Sequence, residues 1–488
     1  MPLGFGLIAL RLIWHSSSRR GWRGGAALLA AAIVCAGICL PTAPAKLVLP
    51  GIALLLLATI LGAPVFAALG GAAVIFFWGK SQPLTVLPID HYDLVVNPTL
   101  PTIPLFTLAG YLLAEGGASK RLVRVCQALV GHLPGGPAIA TALACAFFTS
   151  FTGASGVTIL ALGGLLMPVL VASRYSERAA LGLITGAGSL GLLFPPCLPL
   201  ILYGIIANVQ IQKMFVGGIL PGVLLVVLTA VLGIWQGPKV GQASRLPRQP
   251  GSSSEGTGEM TVPSFTWREA GIAIWAAKWE LLLPVVALVA LFGGFATTLE
   301  AAAITAFYAF VVEVFIYRDL RILKDLPRVM TECALLVGGV LLILGVALGL
   351  TGYFVYAEVP DKLAALAQGS IHSRWVFLLA LNLFLLVVGC LMDIFSAIIV
   401  VVPLIVPLGA AFGVNPVHLG IIFLANLELG FLTPPVGMNL FLSSYRFNKP
   451  MTEVTRAVLP MLAILLGGVL LITYIPWLTT WLPTMAAN

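Results

Sequence analysis

Long apolar segments recur along this chain, and they constrain its fold more than any other feature. With their flanks, most reach the roughly 17 to 25 residues that a helix needs to cross about 30 Å of hydrocarbon. Only 9% of the 488 residues are charged, whereas a soluble domain carries about 25% charged residues. We therefore expect an integral membrane protein with roughly 11 to 13 spans and some segments that do not cross fully. The alternating pattern of an outer-membrane strand is absent, which favours helices over a barrel.

The net charge of +8 does not indicate a nucleic-acid-binding protein. The basic residues lie in short segments between apolar runs, as at Arg19–Arg23, Lys120–Arg124 and Arg318–Arg328. This distribution is typical of the cytoplasmic loops of membrane proteins, and no base-reading module accompanies it. The seven cysteines form no CxxC pair and the five histidines are scattered, so we expect no transition-metal site.

A polar segment at residues 237–266 divides the chain near its middle. It is rich in Gly, Pro and Ser, which predicts a flexible hydrophilic linker. The linker separates two apolar halves of similar length, residues 47–236 and 267–488. Residues 1–46 precede both halves as an extra segment, for which we expect one uncleaved helix.

The two halves share a proline motif. Gly191–Pro196 reads GLLFPP and Gly430–Pro435 reads GFLTPP, with an offset of 239 residues between corresponding positions. A further proline lies 27 residues before the first proline of each pair, at Pro168 and Pro407. A matched motif with a matched upstream proline indicates an internal duplication.

Each Pro-Pro pair, Pro195–Pro196 and Pro434–Pro435, is expected to break a membrane helix. Proline has no amide hydrogen, and its ring clashes with the preceding helical turn. Broken backbone leaves polar groups unpaired, which a membrane tolerates only inside protein or along a polar cavity. Two breaks at corresponding positions of two repeats are the best sequence indication of a transport site.

Segments rich in glycine and oxygen atoms precede the two breaks. Thr149–Thr158 reads TSFTGASGVT and Gly389–Ser396 reads GCLMDIFS. Glycine permits tight turns, and hydroxyl and carbonyl oxygens suit a hard cation such as sodium. The alternative is that these small residues only let membrane helices pack closely.

Charge placement around the two motifs favours cation coupling. Residues 126–173, 179–212 and 375–445 contain no Lys or Arg. If the substrate is an anion, helix N-termini, hydroxyls, amides and a co-bound cation must therefore bind it.

Polar side chains within apolar sequence are further candidates. Asp393 and Glu428 are acids in the second motif region, where a carboxylate is a functional-site hypothesis by default. For Glu428 a structural role is equally open. Asn426 and Asn439 flank the second Pro-Pro pair and offer amide oxygens. Glu300 is expected near a helix end, in a capping or gating role.

At these residues the chain resembles the large permease subunit of TRAP (tripartite ATP-independent periplasmic) transporters, the DctM-like family. The resemblance runs in order from Leu47 to Pro483. It is most specific in the segments PTIPLFTLAGYLLAEGG (Pro101–Gly117), GHLPGG (Gly131–Gly136), GSLGLLFPPCLPLILYGI (Gly188–Ile205), FVGGILPG (Phe215–Gly222) and FGVNPVHLGIIFLANLELGFLTPPVGMNLF (Phe412–Phe441).

This resemblance implies an all-α polytopic membrane protein of two inverted-topology repeats, with re-entrant helical hairpins and broken helices. It implies elevator-type transport and scaffold domains in the inner (cytoplasmic) membrane of a bacterium. The implied activity is sodium symport of an organic acid anion (carboxylate), not enzymatic catalysis, with Na⁺ as coupling ion and no cofactor. The implied partners are a periplasmic solute-binding protein (DctP-like) and a small membrane subunit (DctQ-like).

The resemblance also implies site residues. Cation sites would be formed, many through backbone carbonyls, by Thr152, Ser155, Gly389, Gly430, Thr433 and Val436. Together with the polar side chains above, the substrate or hairpin region would comprise Gly153, Gly156, Gly191, Pro195, Pro196, Asp393, Asn426, Glu428, Pro434, Pro435 and Asn439.

The chain departs from the family pattern in three places. Gly153–Gly156 reads GASG, where the family usually has two adjacent serines, so backbone or water would replace one hydroxyl ligand. Glu428 stands where the family usually has a small apolar residue, which would alter the substrate or the coupling ion. Residues 1–46 are too few for the four helices of the small subunit, so we expect that subunit to be a separate chain.

Other classes of protein fit less well. The alternative within transporters is a stand-alone sodium/dicarboxylate carrier or antiporter of similar hairpin fold. A channel would need a pore lined by rings of charge or carbonyls, and a membrane enzyme would need a catalytic pattern such as HExxH. The sequence offers neither, so a channel or an enzyme is a distant alternative.

Overall fold

The apolar segments form helices in a computed structural model, which describes residues 44–60, 65–133, 135–237, 266–293 and 296–485. Within these ranges every regular element is helical and no strand occurs, which confirms the predicted all-α polytopic architecture. Of the expected N-terminal segment only Pro44–Lys46, the start of the first helix, are described. Of the expected linker only Gly237 and Thr266 are described.

The first half contains ten α-helices and one 3-10 turn in the described ranges. They are α1 (Pro44–Ile60), α2 (Val65–Gly79), α3 (Val86–Val95), α4 (Thr102–Glu115), α5 (Ala118–Val130), α6 (Gly136–Thr152), α7 (Ser155–Ala172), α8 (Glu177–Ala187), the 3-10 turn (Leu190–Leu193), α9 (Leu198–Ile206) and α10 (Ile211–Gln236).

The second half contains eleven α-helices and one π-turn in the same part of the chain. They are α11 (Trp267–Ala276), α12 (Lys278–Phe292), α13 (Thr298–Val311), the π-turn (Val312–Ile316), α14 (Leu326–Tyr356), α15 (Val359–Ser370), α16 (Arg374–Leu391), α17 (Ile394–Ala411), α18 (Pro416–Gly430), α19 (Met438–Phe447), α20 (Met451–Tyr474) and α21 (Trp477–Met485).

Seven of the described helices are long and apolar enough to cross a membrane: α7, α10, α13 with the π-turn, α14, α16, α17 and α20. The number rises to nine if two bent pairs each count as one span, α8 with α9 (45°) and α11 with α12 (64°). Within the described ranges this is fewer than the roughly 11 to 13 spans estimated from the apolar runs of the whole chain. The reason is that several runs form short helices: α6 and α18, with 17 and 15 residues, end at a tight turn and at a break.

Helix boundaries repeat between the halves with nearly the offset of the Pro-Pro motifs. α7 and α17 begin at Ser155 and Ile394, and α8 and α18 begin at Glu177 and Pro416, so both pairs are offset by 239 residues. The pairs α9 and α19, and α10 and α20, are offset by 240 residues. Each half thus contains a hairpin (α6–α7, α16–α17), a broken span (α8–α9, α18–α19) and a long helix (α10, α20).

Each broken span packs against the hairpin of the other half. α19 lies against α7, where a Cβ atom on Gly163 would come within 2.8 Å of Phe447 Cζ. α9 lies against α17, and its Tyr203 ring lies 6.0 Å from that of Phe423 on α18. Because these contacts cross between the halves, the two hairpins and the two broken spans form one packed body.

Glu300 caps α13. Its amide donates to Thr297 Oγ1 at 3.3 Å, and its carboxylate accepts a hydrogen bond from the Thr297 amide at 2.7 Å. This reciprocal pair is a capping box. The predicted capping role of Glu300 is confirmed.

An arginine joins three acids where α5 meets α12 and the π-turn. The Arg121 guanidinium contacts Glu280, and it lies 2.6 Å from Asp319 Oδ2 and 3.6 Å from Glu313 Oε2. The side chains of Glu280 and Glu313 are fully buried. We call these four residues the Arg121 cluster. It links the first half to the second half outside the hairpins and broken spans.

Candidate functional site

The first hairpin turns on a left-handed glycine. α6 ends at Thr152, Gly153 adopts a φ of +64°, and α7 begins at Ser155. A side chain at Gly153 would be strained by this conformation, and its Cβ atom would lie 2.9 Å from Leu198 Cβ. The first hairpin therefore makes its turn directly against the start of α9.

Polar groups at this turn are only partly used. Thr152 and Ser155 are each 1% exposed. Ser155 Oγ has no hydrogen-bond partner in the part of the chain described, and Thr152 Oγ1 makes a single 3.4 Å contact, to Ala154 O. Because Ala154 occupies the N-cap position, no side chain caps α7. The turn thus leaves a buried hydroxyl and the positive end of a helix available to a ligand.

The first break lies against the first hairpin. The 3-10 turn follows α8, and Pro195–Pro196, joined by a cis peptide bond, lead into α9. Thr149 Oγ1 donates to Gly188 O at 2.8 Å. A Cβ atom on Gly191 would lie 2.6 Å from Thr149 Cβ. The backbone of the break is therefore in direct contact with α6.

The second break lies against the second hairpin. α18 ends at Gly430, and Pro434–Pro435, also joined by a cis peptide bond, precede α19. Gly430 packs so closely on Gly389 that a Cβ atom on Gly430 would lie 2.5 Å from Gly389 Cα. The Gly437 amide donates to Cys390 O at 3.3 Å. The backbone of the second break is thus in direct contact with the backbone of the second hairpin.

One close contact occurs at corresponding positions of both halves. Gly191 packs on Ser150, and Gly430 packs on Gly389. The two contacts join positions that are offset by 239 residues, the offset of the proline motifs. At both breaks glycine is required because the two atoms nearest to an added Cβ atom belong to backbone.

The two breaks differ in exposure. Pro195–Pro196 are buried, whereas Pro434–Pro435 are exposed and Val436 is 52% exposed. Thr433 is half-buried, and its hydroxyl donates to Leu429 O at 3.0 Å. The second break is therefore the more accessible of the two.

Asp393 is the N-cap of α17. Its carboxylate accepts hydrogen bonds from the Phe395 amide at 3.0 Å, from the Ser396 amide at 3.1 Å and from the Ser396 hydroxyl at 2.5 Å. Asp393 is exposed, so the acid satisfies the first amides of α17 at the surface of the second hairpin turn. The corresponding residue of the first half is Ala154, which cannot do this.

The side-chain carbonyl oxygen of Asn439 lies at the contact between the two halves and has no hydrogen-bond partner among the described residues. Asn439 is fully buried, and its amide donates to Thr185 O at 3.4 Å. Asn439 lies one turn before Leu442, which contacts Gly156 of the first hairpin. This oxygen and that of Ser155 thus lie on the packed helices α19 and α7.

Asn426 belongs to a buried polar network instead. Its amide donates to Asn382 Oδ1 at 2.5 Å and to Ile422 O at 2.8 Å. Thr473 Oγ1 donates to the same Asn382 oxygen at 3.1 Å, and His418 Nε2 lies 3.2 Å from Thr473 O. Sequence reasoning missed this network, although Asn382 and His418 are polar residues in apolar runs. The network joins α16, α18 and α20. The side-chain NH₂ group of Asn426 donates its hydrogen bonds within this network.

Glu428 is buried between the two breaks. It is 1% exposed, and neither carboxylate oxygen has a hydrogen-bond partner in the described ranges. Its carboxyl lies beside the Ser189 hydroxyl and within electrostatic range of the Cys197 thiol. Ser189 and Cys197 flank the first break, so Glu428 of the second half lies next to the first break.

A family model matches most of the chain. Residues 52–478 match the DctM component of the tripartite ATP-independent periplasmic transporter. The match spans both hairpins and both broken spans, and it confirms the resemblance seen in the sequence.

Relatives agree with this match. The chain is 33% identical over 447 residues to the C4-dicarboxylate TRAP transporter large permease protein DctM of Vibrio cholerae, covering 87% of this chain and 95% of that protein. It is 31% identical over 484 residues to the isethionate TRAP transporter permease protein DctMQ of Oleidesulfovibrio alaskensis, covering 98% of this chain and 73% of that protein. It is 28% identical to the 2,3-diketo-L-gulonate TRAP transporter large permease protein YiaN of Escherichia coli. That match covers 85% of this chain and 94% of that protein.

A solved structure shares the fold. The Alcanivorax borkumensis YdaH transporter superposes with a TM-score of 0.56 at 14% identity, covering 82% of this chain and 88% of that chain. At this identity the likeness concerns the fold alone. The family match and the relatives show that this multi-pass membrane protein belongs to the DctM family, the large permease component of tripartite ATP-independent periplasmic transporters.

Proposed function

We propose that this chain is the large membrane subunit of a binding-protein-dependent secondary transporter that imports an organic acid anion by sodium symport. The observation that supports this most is the pair of helix breaks, each packed against a hairpin turn. Buried oxygens of Ser155, Glu428 and Asn439 near them have no hydrogen-bond partner among the described residues. The names of relatives support the substrate class, since they include a C4-dicarboxylate and a 2,3-diketo-L-gulonate transporter. We propose the inner membrane of a bacterium as its location, which membership of the family supports.

Sodium is proposed to bind where each hairpin turn meets its break. In the first half Thr152 and Ser155 offer hydroxyl oxygens at the turn. In the second half the sodium ligands would be backbone carbonyls and one hydroxyl. The carbonyls are those of Gly389, Gly430 and Val436, and the hydroxyl is that of Thr433. Hydroxyl and unwound carbonyl oxygens at half-helix ends suit this ion.

The anion is proposed to use the positive start of α7. No Lys or Arg occurs in residues 126–173, 179–212 and 375–445, so no basic side chain from these segments neutralises a bound carboxylate. The uncapped amides of α7, the amide groups of the site and a co-bound sodium ion would share that role. Cation and substrate would therefore favour each other's binding.

Elevator movement is proposed for the packed body of hairpins and broken spans. Those elements interlock across the halves, which favours motion as one unit. The Arg121 cluster ties together helices outside that body, which suits a fixed scaffold.

Two partners are proposed, a periplasmic solute-binding protein (DctP-like) and a small membrane subunit (DctQ-like) on a separate chain. The relative named DctMQ extends beyond its match with this chain, which covers 73% of it. A stand-alone carrier or antiporter is the second candidate, and the similar fold of the YdaH transporter keeps it open. A neighbouring reading frame for a periplasmic binding protein would favour the first candidate.

Removing a hydroxyl at either proposed sodium site should weaken sodium dependence. We expect Ser155→Ala and Thr433→Ala each to raise the sodium concentration for half-maximal uptake about tenfold, because losing one oxygen partner costs roughly 1–3 kcal/mol. Uptake is measured in proteoliposomes with the cognate binding protein and small subunit under an imposed sodium gradient.

Thr305→Ala is the matched control for these variants. Thr305 is a fully buried threonine on α13 whose hydroxyl donates to Ala301 O within its own helix. Uptake by the unmodified protein that ignores the sodium gradient would refute sodium coupling. An equal loss of abundance in all three variants would assign these hydroxyls to folding.

Two substitutions of Asp393 separate the effect of its negative charge from the effect of its hydrogen bonds to the start of α17. Asparagine caps helices as well as aspartate does, whereas alanine costs about 1 kcal/mol. We expect Asp393→Asn to preserve protein abundance and to weaken sodium dependence, and Asp393→Ala to lower both. The measurements are detergent-extracted yield and sodium-driven uptake. If Asp393→Asn transports as well as the unmodified protein, the acid serves only as the cap of α17.

A further inference from the structure

An apolar cavity lies between the first break and helices of both halves. Its volume is about 570 Å³, several times the roughly 150 Å³ of a cavity that takes up one benzene molecule. It is formed by α5, α6, α10 and α12 together with Phe194 and Pro195 of the first break. Within the described residues no charged side chain lines it, so it does not suit the substrate anion or its coupling ion.

The cavity opens toward the lipid-facing surface. Three of the residues that line it, Leu143 on α6 and Val223 and Val227 on α10, are 40%, 45% and 50% exposed. The helix α10 is long and apolar enough to cross a membrane, and both valines lie near its middle. Exposed side chains at that depth adjoin hydrocarbon rather than water. The molecules next to the opening are therefore the acyl chains of lipids.

Two basic residues lie where α5 meets the start of α12. Val125, which lines the cavity, packs with Ala277 in one buried apolar cluster. Arg124 and Lys278 are their direct neighbours in the chain, and neither forms a salt bridge within the described residues. Lys278 also precedes the cavity-lining Leu281 by three residues, so these two side chains are neighbours on the surface of α12. This end of the cavity thus carries positive charge that no carboxylate neutralises through a salt bridge.

Two tryptophans beside Lys278 indicate the level of the lipid head groups. The Lys278 ammonium lies 3.5 Å from the centroid of the Trp275 ring and 5.4 Å from that of Trp279. Trp275 is 71% exposed. Tryptophan is enriched at the interface between membrane and water, and lysines near helix ends extend their charge to that interface. A phosphate of a lipid head group at this level would meet the charge of Lys278.

The size of the cavity decides between a lipid and a helix as its occupant. An α-helix with its side chains is about 10–12 Å wide, so a membrane-spanning helix of another subunit would not enter a cavity of about 570 Å³. An acyl chain is much thinner and flexible. Close contacts with the apolar walls would hold the chain, and Lys278 would select an anionic head group.

We propose that this cavity binds one anionic phospholipid, with an acyl chain between α12 and the first break and its phosphate beside Lys278. The chain fills the space between a helix of the proposed scaffold and the body that is proposed to move. The inference goes beyond the proposed function, because lipid binding is measured without transport.

The test measures lipid binding to the protein purified in detergent with its small subunit. Native mass spectrometry counts bound molecules of added phosphatidylglycerol, or of phosphatidylcholine with the same acyl chains. We expect one phosphatidylglycerol to bind more tightly than phosphatidylcholine. Lys278→Gln should weaken phosphatidylglycerol binding about fivefold, the effect of one basic residue at a membrane surface. Lys324→Gln, which removes an exposed lysine outside the cavity lining, should leave the affinity unchanged.

A second pair of variants tests the position of the acyl chain. Val223→Trp places a large ring in the cavity and should abolish binding of the one tightly held phosphatidylglycerol. Val231→Trp is the matched control, since Val231 is 52% exposed on the same face of α10 but does not line the cavity. This pair decides the matter if Lys278→Gln does not fold.

Three results would overturn the proposal. Equal affinities for the two lipids, or the same weakening by Lys278→Gln and Lys324→Gln, would mean that Lys278 does not select the head group. Binding that survives in Val223→Trp would place the acyl chain elsewhere. A complex that binds no phosphatidylglycerol would show that the cavity is not a lipid site.

Discussion

Replacing Gly430 with alanine is expected to lower substrate uptake about 5- to 150-fold, because overpacking at the second break costs about 1–3 kcal/mol. The added Cβ atom would lie 2.5 Å from Gly389 Cα and 2.6 Å from the Gly389 carbonyl carbon. Both are backbone atoms, so no side chain can rotate away. The second break and the second hairpin turn must therefore separate, and the proposed sodium ligands on both would move apart.

Gly467→Ala is the matched control for Gly430→Ala. Gly467 lies in α20, and a Cβ atom there would meet nothing within 4 Å. Initial rates of uptake are compared at equal amounts of reconstituted protein. Full activity of Gly430→Ala would show that the close contact between the two glycines is not needed for transport.

Replacing Arg121 with alanine is expected to prevent accumulation of folded protein. The arginine faces Glu280, Glu313 and Asp319, and the first two are fully buried. Removing one partner of a buried ion pair costs about 3–5 kcal/mol, because the remaining charges are left uncompensated. A loss of this size is a large fraction of the stability of an ordinary protein. Detergent-extracted yield and the midpoint of thermal unfolding measure it.

Arg328→Ala is the control for Arg121→Ala. Arg328 pairs with Glu115 at 2.6 Å, but its side chain is 58% exposed, and a pair of this kind contributes about 0–1 kcal/mol. Arg121→Lys should recover part of the yield, since lysine restores the charge without the planar fork. If the alanine variants at 121 and 328 give equal yields, the Arg121 cluster does not hold the scaffold together.

The sequence predicted the features of the site that depend on local chemistry. The Pro-Pro pairs located both breaks, and their offset reappears in the starts of α7, α8, α17 and α18. Thr297 and Glu300 form a capping box because both partners lie within one helical turn. The family resemblance followed from motifs that span the same segments.

Features that depend on packing between distant segments could not be read from the sequence. Arg121 meets Glu280 and Asp319 across 159 and 198 residues, and nothing near Arg121 indicates these partners. Apolar run lengths did not show which described helices are too short to span a membrane by themselves, such as α6, which ends at a glycine turn. Asp393 was predicted from its acidity in an apolar run, but its hydrogen bonds to the start of α17 become visible only in three dimensions.

The most direct test of the central claim is a pair of electron cryo-microscopy maps of the reconstituted transporter, one in sodium and one with choline in its place. We predict density present only in sodium at two places. One lies among oxygens of the first hairpin turn near Ser155, and the other among oxygens of the second break between Gly430 and Val436. Identical maps at both breaks, or sodium-dependent density only elsewhere, would contradict the assignment of the paired breaks as the ion-coupled transport site.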